Sequence, residues 1–196
     1  RFLDEIFAKC NIQISVKTRL GMEDASGFPE LMKLYNKFPM KELIIHPRVQ
    51  KDFYKNTPNL EMFAEAFAMS TNPVCYNGDI FCVEDHQRIC ERFPELDAVM
   101  SGRGTLTNPA LAREIRGGQA LTKAELRKFH DLVYHTYRAE VSGDRNVLFK
   151  MKELWFYMGP LFANNKKYLK KIKKSEKCIV YESAVAELFS NEELIL

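Results

Sequence analysis

The sequence PVCYNGDIFCVEDHQRICERFPELDAVMSGRG, residues 73–104, contains the pattern that decides the fold. It begins with a short apolar strand at residues 73–76 and continues through helix-spaced apolar positions from Val83 to Phe93. It then returns to an apolar strand at residues 98–101. A strand, a helix and a strand within about thirty residues make one βαβ unit. This stretch therefore predicts two parallel strands joined by a crossover helix.

The same alternation extends to both sides of this unit. Upstream, strands are predicted at residues 12–18 and 43–46, with helices at 28–38 and 60–67, and a short helix follows at 108–115. About four β/α units predict an α/β fold with a parallel sheet. Half of a (β/α)8 TIM barrel and part of an open doubly wound sheet both fit this alternation. A complete barrel takes about 250 residues. If the fold is a barrel, about half of the barrel therefore lies outside this chain.

A change in character follows residues 117–119, Gly-Gly-Gln. Thr122 and Glu125 have the spacing of a capping box, which predicts the start of a long helix running to about residue 141. Further helical patterns cover residues 146–158, a basic stretch and the segment through Phe189. We therefore predict two domains, an α/β domain at residues 1–118 and a small all-α domain at residues 119–196.

Composition restricts the class of protein. Hydrophobic residues make up 46% of the chain, which is enough for a sizeable core. The sequence contains no apolar run of about 20 residues, so we expect no membrane span. Five cysteines without a CxxC pair predict reduced thiols, a cytoplasmic location and no metal site. The chain begins within a helical pattern and without Met, so we expect it to be part of a longer protein.

The basic residues are unevenly distributed. Residues 1–118 hold 15 Lys and Arg against 16 Asp and Glu, whereas residues 119–196 hold 14 against 10. This excess favours an anionic partner for the second domain. The run at residues 166–174 has two interpretations: a solvated helix with a narrow apolar stripe, or a surface that contacts phosphates.

Polar groups concentrate at the carboxyl ends of the four predicted strands, where parallel α/β folds bind ligands. Gly78, Gly102 and Gly104 permit close approach of a ligand to backbone N–H groups, and Arg103 suits a phosphate. Lys17 is suited to a carbonyl oxygen or a ring nitrogen. This combination predicts a flavin mononucleotide site, with a phosphosugar enzyme or a non-catalytic barrel end as alternatives. The four strand ends read 16–21 VKTRLG, 45–48 IHPR, 77–80 NGDI and 100–109 MSGRGTLTNP.

These four motifs, in this order, resemble those of the tRNA-dihydrouridine synthase family. The resemblance covers residues 1–118 and extends more loosely to the helical part. It implies the C-terminal portion of such an enzyme: the second half of an FMN-binding (β/α)8 barrel followed by a helical tRNA-docking domain. The implied reaction is the reduction of uridine in tRNA to 5,6-dihydrouridine, with FMN as cofactor and NADPH as reductant.

The resemblance also implies roles for particular residues. Two arginines, Arg19 and Arg48, are expected to contact the substrate RNA. Lysines of the helical part are expected to contact RNA as well, namely Lys150, Lys152, Lys167, Lys170 and Lys171. The expected cofactor-binding residues are Lys17, His46, Asn77, Gly78, Asp79, Gly102 and Arg103.

The chain departs from the family pattern in two places. The family's catalytic cysteine lies in an Asn- and Gly-rich loop that ends in Cys-Pro, and no cysteine here lies in such a loop, so we assign no catalytic residue. Pro47 occupies a position that is usually Gly. We therefore expect the chain alone to be inactive, with tRNA and either the missing barrel half or a second copy as partners. A dihydroorotate-dehydrogenase-like reductase and a non-catalytic RNA-binding module are the alternative functions.

Overall fold

The computed structural model describes residues 1–195 as alternating strands and helices followed by a helical region. The strands are β1 (Ser15–Gly21), β2 (Glu42–Val49), β3 (Val74–Tyr76) and β4 (Ala98–Val99). The helices among them are α1 (Phe2–Lys9), α2 (Phe28–Tyr35), α3 (Leu60–Met69) and α4 (Val83–Arg92). The later helices are α5 (Arg103–Thr107), α6 (Leu111–Ile115), α7 (Lys123–Glu140), α8 (Asp144–Met158), α9 (Lys166–Lys174) and α10 (Cys178–Asn191).

The four strands form one sheet in the order β1-β2-β3-β4, and every neighbouring pair is parallel. The mixed α/β prediction with a parallel sheet is therefore confirmed. The predicted strand boundaries differ from the observed ones, most of all at β1 and β2. β1 begins at Ser15 rather than residue 12, because Ser15 is the first residue that pairs with β2. β2 continues to Val49, which pairs with Gly21 beyond a register shift in β1.

The chain divides into two compact units. The first contains residues 1–80 and 84–101, and the second contains residues 81–83 and the segment from Gly102 onward. The division after Ser101 places α5 and α6 in the second unit. The predicted domain boundary at residues 118/119 stays a prediction.

Aromatic side chains build the core on the helix-covered face of the sheet in the first unit. The Phe63 ring makes edge-to-face contacts with the rings of Tyr76 and Phe93, with centroids 5.0 Å apart in each pair. The Tyr35 hydroxyl donates to Oγ1 of Thr18 at 3.1 Å, which ties α2 to β1. Burial of a Phe side chain such as Phe63 contributes about 2 kcal/mol. These contacts fix the helix side of the sheet and leave the opposite face for other groups.

The second unit packs α7, α8 and α10 around Trp155, Phe162 and Phe189. The predicted capping box at the start of α7 is confirmed, because Oγ1 of Thr122 accepts from the Glu125 N–H and the Glu125 carboxylate accepts from the Thr122 N–H. Among residues 1–195, no helix has the length and apolar character needed to cross a membrane.

Candidate functional site at the carboxyl ends of the strands

Alternation along β1 separates its polar side chains from the core. Leu20 is buried and Thr18 bonds to Tyr35 on the helix side. Lys17 and Arg19 occupy the alternate positions of the strand and therefore point to the opposite face. The sequence produces this arrangement because a period of two places every second residue of a strand on the same face.

The pairing of residues between neighbouring strands shows which side chains share a face of the sheet. Arg19 pairs with His46, and Lys17 pairs with Ile44, which in turn pairs with Cys75. In parallel strands, paired residues point to the same side. Three residues predicted for the cofactor or the substrate, Lys17, Arg19 and His46, therefore lie on one face at the carboxyl end of two adjacent strands.

Tyr54 connects two of these side chains. The Arg19 guanidinium lies over the Tyr54 ring, with Cζ 5.6 Å from the centroid, and the His46 ring is stacked on Tyr54 with centroids 6.2 Å apart. Nη1 of Arg19 also donates to the carbonyl oxygens of Val49, at 2.9 Å, and Phe53, at 3.3 Å. Arg19 is thus held in place by the loop that follows β2.

Arg48 is enclosed by protein groups. Only 2% of the residue is exposed, and its guanidinium forms a two-pronged ion pair with the Asp79 carboxylate. Nε donates to the Asn56 carbonyl oxygen at 2.5 Å, and Nη1 lies 3.2 Å from Nε2 of His46. Arg48 therefore joins the end of β2 to the turn that follows β3. Its predicted contact with RNA stays a prediction.

The turn after β3 is held to both neighbouring strands. The Asn77 N–H donates to the Ile45 carbonyl at 2.9 Å, and Nδ2 of Asn77 donates to the Met100 carbonyl at 2.7 Å. At Gly78, a Cβ atom would lie 1.9 Å from the hydroxyl oxygen of the buried Tyr76. The backbone at this turn therefore requires glycine.

The face is electropositive, and its ionisable groups are shifted accordingly. Burial, followed by the charges of Arg19, Lys17 and Arg48, lowers the pKa of His46 to about 4. Partial burial and the Arg19 charge lower the pKa of Lys17. Burial raises the pKa of the Cys75 thiol to about 11. At neutral pH the site therefore presents a neutral imidazole, cationic side chains and a protonated thiol.

Gly102 and Arg103, the other predicted cofactor residues, belong to the second unit. Among residues 1–195, and apart from its own chain neighbours, Gly102 has no atom within 4 Å of the position that a Cβ would take. The Arg103 guanidinium lies over the Phe81 ring, with Cζ 5.2 Å from the centroid. Asn108 and Pro109 close this segment, and Nδ2 of Asn108 donates to Glu114 at 2.7 Å.

The predicted RNA-contacting lysines differ in how much of their charge is already engaged. Lys152 donates to the Ser175 carbonyl at 2.6 Å, and Lys171 pairs with Glu187 at 2.5 Å. The Lys167 amine lies 4.5 Å from the Tyr168 ring centroid. Lys150 and Lys170 are exposed on α8 and α9.

Comparison with known proteins shows which protein family the chain belongs to. The family model described as dihydrouridine synthase (Dus) matches residues 1–192. The chain belongs to the dihydrouridine synthase family. The tRNA-dihydrouridine(16) synthases of Pseudomonas syringae pv. tomato and Shewanella oneidensis are 31% and 35% identical to it over 109 and 105 residues, which cover 56% and 54% of the chain. A probable tRNA-dihydrouridine synthase of Helicobacter pylori is 28% identical over 187 residues, or 92% of the chain.

The matches span only part of the relatives' own lengths. They cover 34% and 33% of the first two relatives and 54% of the Helicobacter pylori protein. The matched segments therefore span about a third to a half of the length of these members of the dihydrouridine synthase family.

Our sequence analysis did not predict a role for Tyr54. In this member of the dihydrouridine synthase family, the Tyr54 ring contacts both Arg19 and His46, two of the predicted site residues. Tyr54 and Phe53 are both exposed, at 55% and 66%, and Phe53 has a positive φ of 49°. Two adjacent aromatic residues just after a strand-end motif were the available signal, since exposed aromatic pairs in loops are unusual without a binding role.

Proposed function

We propose that this chain supplies part of an FMN-dependent tRNA-dihydrouridine synthase, which uses NADPH to reduce uridine in tRNA to 5,6-dihydrouridine. The observation that carries the proposal is the placement of Lys17, Arg19 and His46 on one sheet face at the strand ends. The family match over residues 1–192 supports the same assignment.

The fold proposal follows from the sheet. Four parallel strands in sequential order, with crossover helices, agree with the second half of a (β/α)8 barrel. We propose that the helical region from residue 119 onward docks tRNA. The barrel half that these strands lack, or a second copy of this chain, would complete the sheet.

The residues present fit a flavin mononucleotide by the chemistry of their donors. Lys17 and His46 would approach the ring, whose carbonyl oxygens and nitrogens accept hydrogen bonds. Asn77, Gly78 and Asp79 would form the adjoining turn, and Gly102 and Arg103 would hold the phosphate. When bound, FMN would supply the redox chemistry between NADPH and C6 of the uracil.

The substrate side of the proposal rests on Arg19 and Tyr54. Arg19 is fixed by two backbone carbonyls and by the Tyr54 ring, and its remaining N–H groups would donate to a ligand on the same face. A uracil reaching this face must leave the RNA stack, which costs a few kcal/mol. Dihydrouridine formation also needs a proton at C5, and we assign no proton donor within this chain.

The test uses the intact protein that contains this chain. We expect bound flavin with absorbance near about 450 nm, and consumption of NADPH only when tRNA containing uridine is present. Mass spectrometry of digested tRNA should show nucleosides that have gained two hydrogen atoms. An intact protein that reduces dihydroorotate-like small molecules but not tRNA would replace the proposal, as would one that binds tRNA but no flavin.

A further inference from the structure

Three groups surround the guanidinium of Arg48 through four hydrogen bonds and account for its burial. The carboxylate of Asp79 accepts from Nη1, at 3.0 Å, and from Nη2, while the Asn56 carbonyl accepts from Nε. A buried cation is tolerated only when it is paired and hydrogen-bonded in this way. Arg48 thus has no surface left for a phosphate, in contrast to its predicted contact with RNA.

The third group is the His46 ring, and its contact with Arg48 determines which ring nitrogen carries the proton. Nη1 of Arg48 lies 3.2 Å from Nε2 of His46. A guanidinium can only donate hydrogen bonds, so Nε2 must be the acceptor. The ring proton of the neutral imidazole therefore resides on Nδ1.

We propose that Arg48 is a positioning residue: it fixes His46 in the Nδ1–H tautomer and, through Asp79, anchors the turn after β3, so that His46 presents an N–H donor to the bound ligand. This inference rests on the proposed function for the identity of the ligand, a flavin. It deepens that proposal by assigning the donor atom, and it moves Arg48 from the RNA-contacting group to the support of the cofactor site.

Charges around His46 agree with this assignment. Arg19 and Lys17 on β1 and Arg48 on β2 disfavour a second ring proton, while Asp79 after β3 favours one. Together with burial, the balance lowers the pKa of His46 to about 4. The imidazole is therefore neutral at pH 7, and its single N–H is available to an acceptor such as a ring nitrogen or a carbonyl oxygen.

The first experiment reads the tautomer directly, without depending on activity. Nitrogen-15 NMR of the histidine rings in the intact protein should show His46, assigned by its loss in His46→Gln, with the proton on Nδ1. The double variant Arg48→Met/Asp79→Asn removes both charges, so no unpaired ion is left behind, and should shift His46 towards a mixture of tautomers. A wild-type ring protonated on Nε2, or an unchanged Nδ1–H tautomer in the double variant, would overturn the proposal.

The second experiment measures flavin affinity in the same proteins. We expect the double variant to bind FMN about tenfold more weakly, as for the loss of one oriented hydrogen bond. Arg88→Met is the matched control, because Arg88 is an exposed arginine that also pairs with an aspartate, Asp85, and its loss should leave affinity unchanged. Equal FMN affinity in wild type and the double variant would refute the positioning role while leaving the proposed function intact. A wild-type protein without FMN affinity would refute the proposed function, and the NMR spectrum would still decide whether Arg48 sets the tautomer.

Discussion

The hydroxyl oxygen of Tyr181 lies 2.6 Å from Nε2 of His130, deep in the helical unit. The same oxygen accepts from Nε1 of Trp155 at 2.7 Å, and Nδ1 of His130 lies 2.8 Å from the Asp131 carboxylate. Because the carboxylate can only accept, the His130 proton is on Nδ1 and the Tyr181 hydroxyl donates to Nε2. One directed chain of hydrogen bonds therefore joins α7, α8 and α10.

Tyr181→Phe tests the contribution of this chain to stability. The variant keeps the ring but leaves Nε2 of His130 and the Trp155 N–H without their partner in a buried environment. Each unsatisfied buried group is costly, so we expect a loss of about 2 kcal/mol in the free energy of unfolding, measured by urea denaturation. Tyr157→Phe, which removes a hydroxyl at a half-buried position of α8, should change it little. Equal stability of the two variants would contradict the finding.

The pH dependence of stability follows from His130. Burial lowers the pKa of His130 to about 4, against the opposing effect of Asp131. The unfolded chain therefore takes up a proton near the ordinary value of 6.5, and the folded chain only near 4. This contribution to stability is complete above pH 6.5 and is lost as the pH falls towards 4.

Unfolding measurements at pH 7 and pH 5 check this. Replacing His130 by Gln should reduce the slope of unfolding free energy with pH by up to about 1.4 kcal/mol per pH unit. His135→Gln, at an exposed position of the same helix, is the control and should retain the slope. His46 contributes in the same direction from the first unit, so some pH dependence will persist in His130→Gln. An unchanged slope would mean that His130 is accessible to protons in the folded state.

Gly78→Ala tests the backbone of the proposed cofactor turn. A Cβ at Gly78 would lie 1.9 Å from the Tyr76 hydroxyl oxygen and 2.3 Å from Cζ, and the buried ring has little room to move. We expect FMN affinity to fall at least about tenfold and stability to fall by about 1–3 kcal/mol. Gly27→Ala is the matched control, because the described part of the chain places no atom beyond the neighbouring residues within 4 Å of the added Cβ. If Gly78→Ala binds as much flavin as the wild type, the Tyr76 ring moves aside without disturbing the turn, and the prediction is wrong.

The sequence predicted those features of the fold that depend on residues close together in the chain. Periodicity located the strands and every helix except α5, and the spacing of Thr122 and Glu125 identified the start of α7, because these patterns arise within a few residues. The parallel sheet also followed from the alternation of elements. By contrast, the limits of β1 depend on which residue of β2 lies opposite, and no local pattern encodes that pairing.

The candidate site also has features that the sequence could predict and features that it could not. The strand-end motifs identified Lys17, Arg19 and His46 as neighbours, because the carboxyl ends of parallel strands converge. The burial of Arg48 could not be predicted, since it arises from Asp79, 31 positions later, and from a backbone carbonyl at Asn56. A side chain that neutralises a distant carboxylate has the same sequence signal as one that contacts RNA.

Lys170 offers a sharp test of the proposed RNA-docking surface, because it is exposed within the basic run on α9. Lys170 is exposed on α9, whereas Lys152 is committed to the Ser175 carbonyl and half-buried. If α9 lies against phosphates, Lys170→Ala should weaken tRNA binding similarly for all tRNA sequences. It should also reduce the slope of log K against log salt by about 0.7–0.9, the value for one phosphate contact.

Lys152→Ala should act through stability rather than binding, since it removes a hydrogen bond at the carbonyl end of α9. Lys128→Ala, at an exposed position of α7, is the control for a general loss of positive charge. Titrations of the intact protein with tRNA at several salt concentrations separate these effects, because nonspecific charge attraction affects Lys128 and Lys170 equally while a phosphate contact affects only one of them. If wild type and Lys170→Ala have the same slope of log K against log salt, α9 is a solvated helix. Its lysines then serve only to keep a narrow apolar stripe soluble.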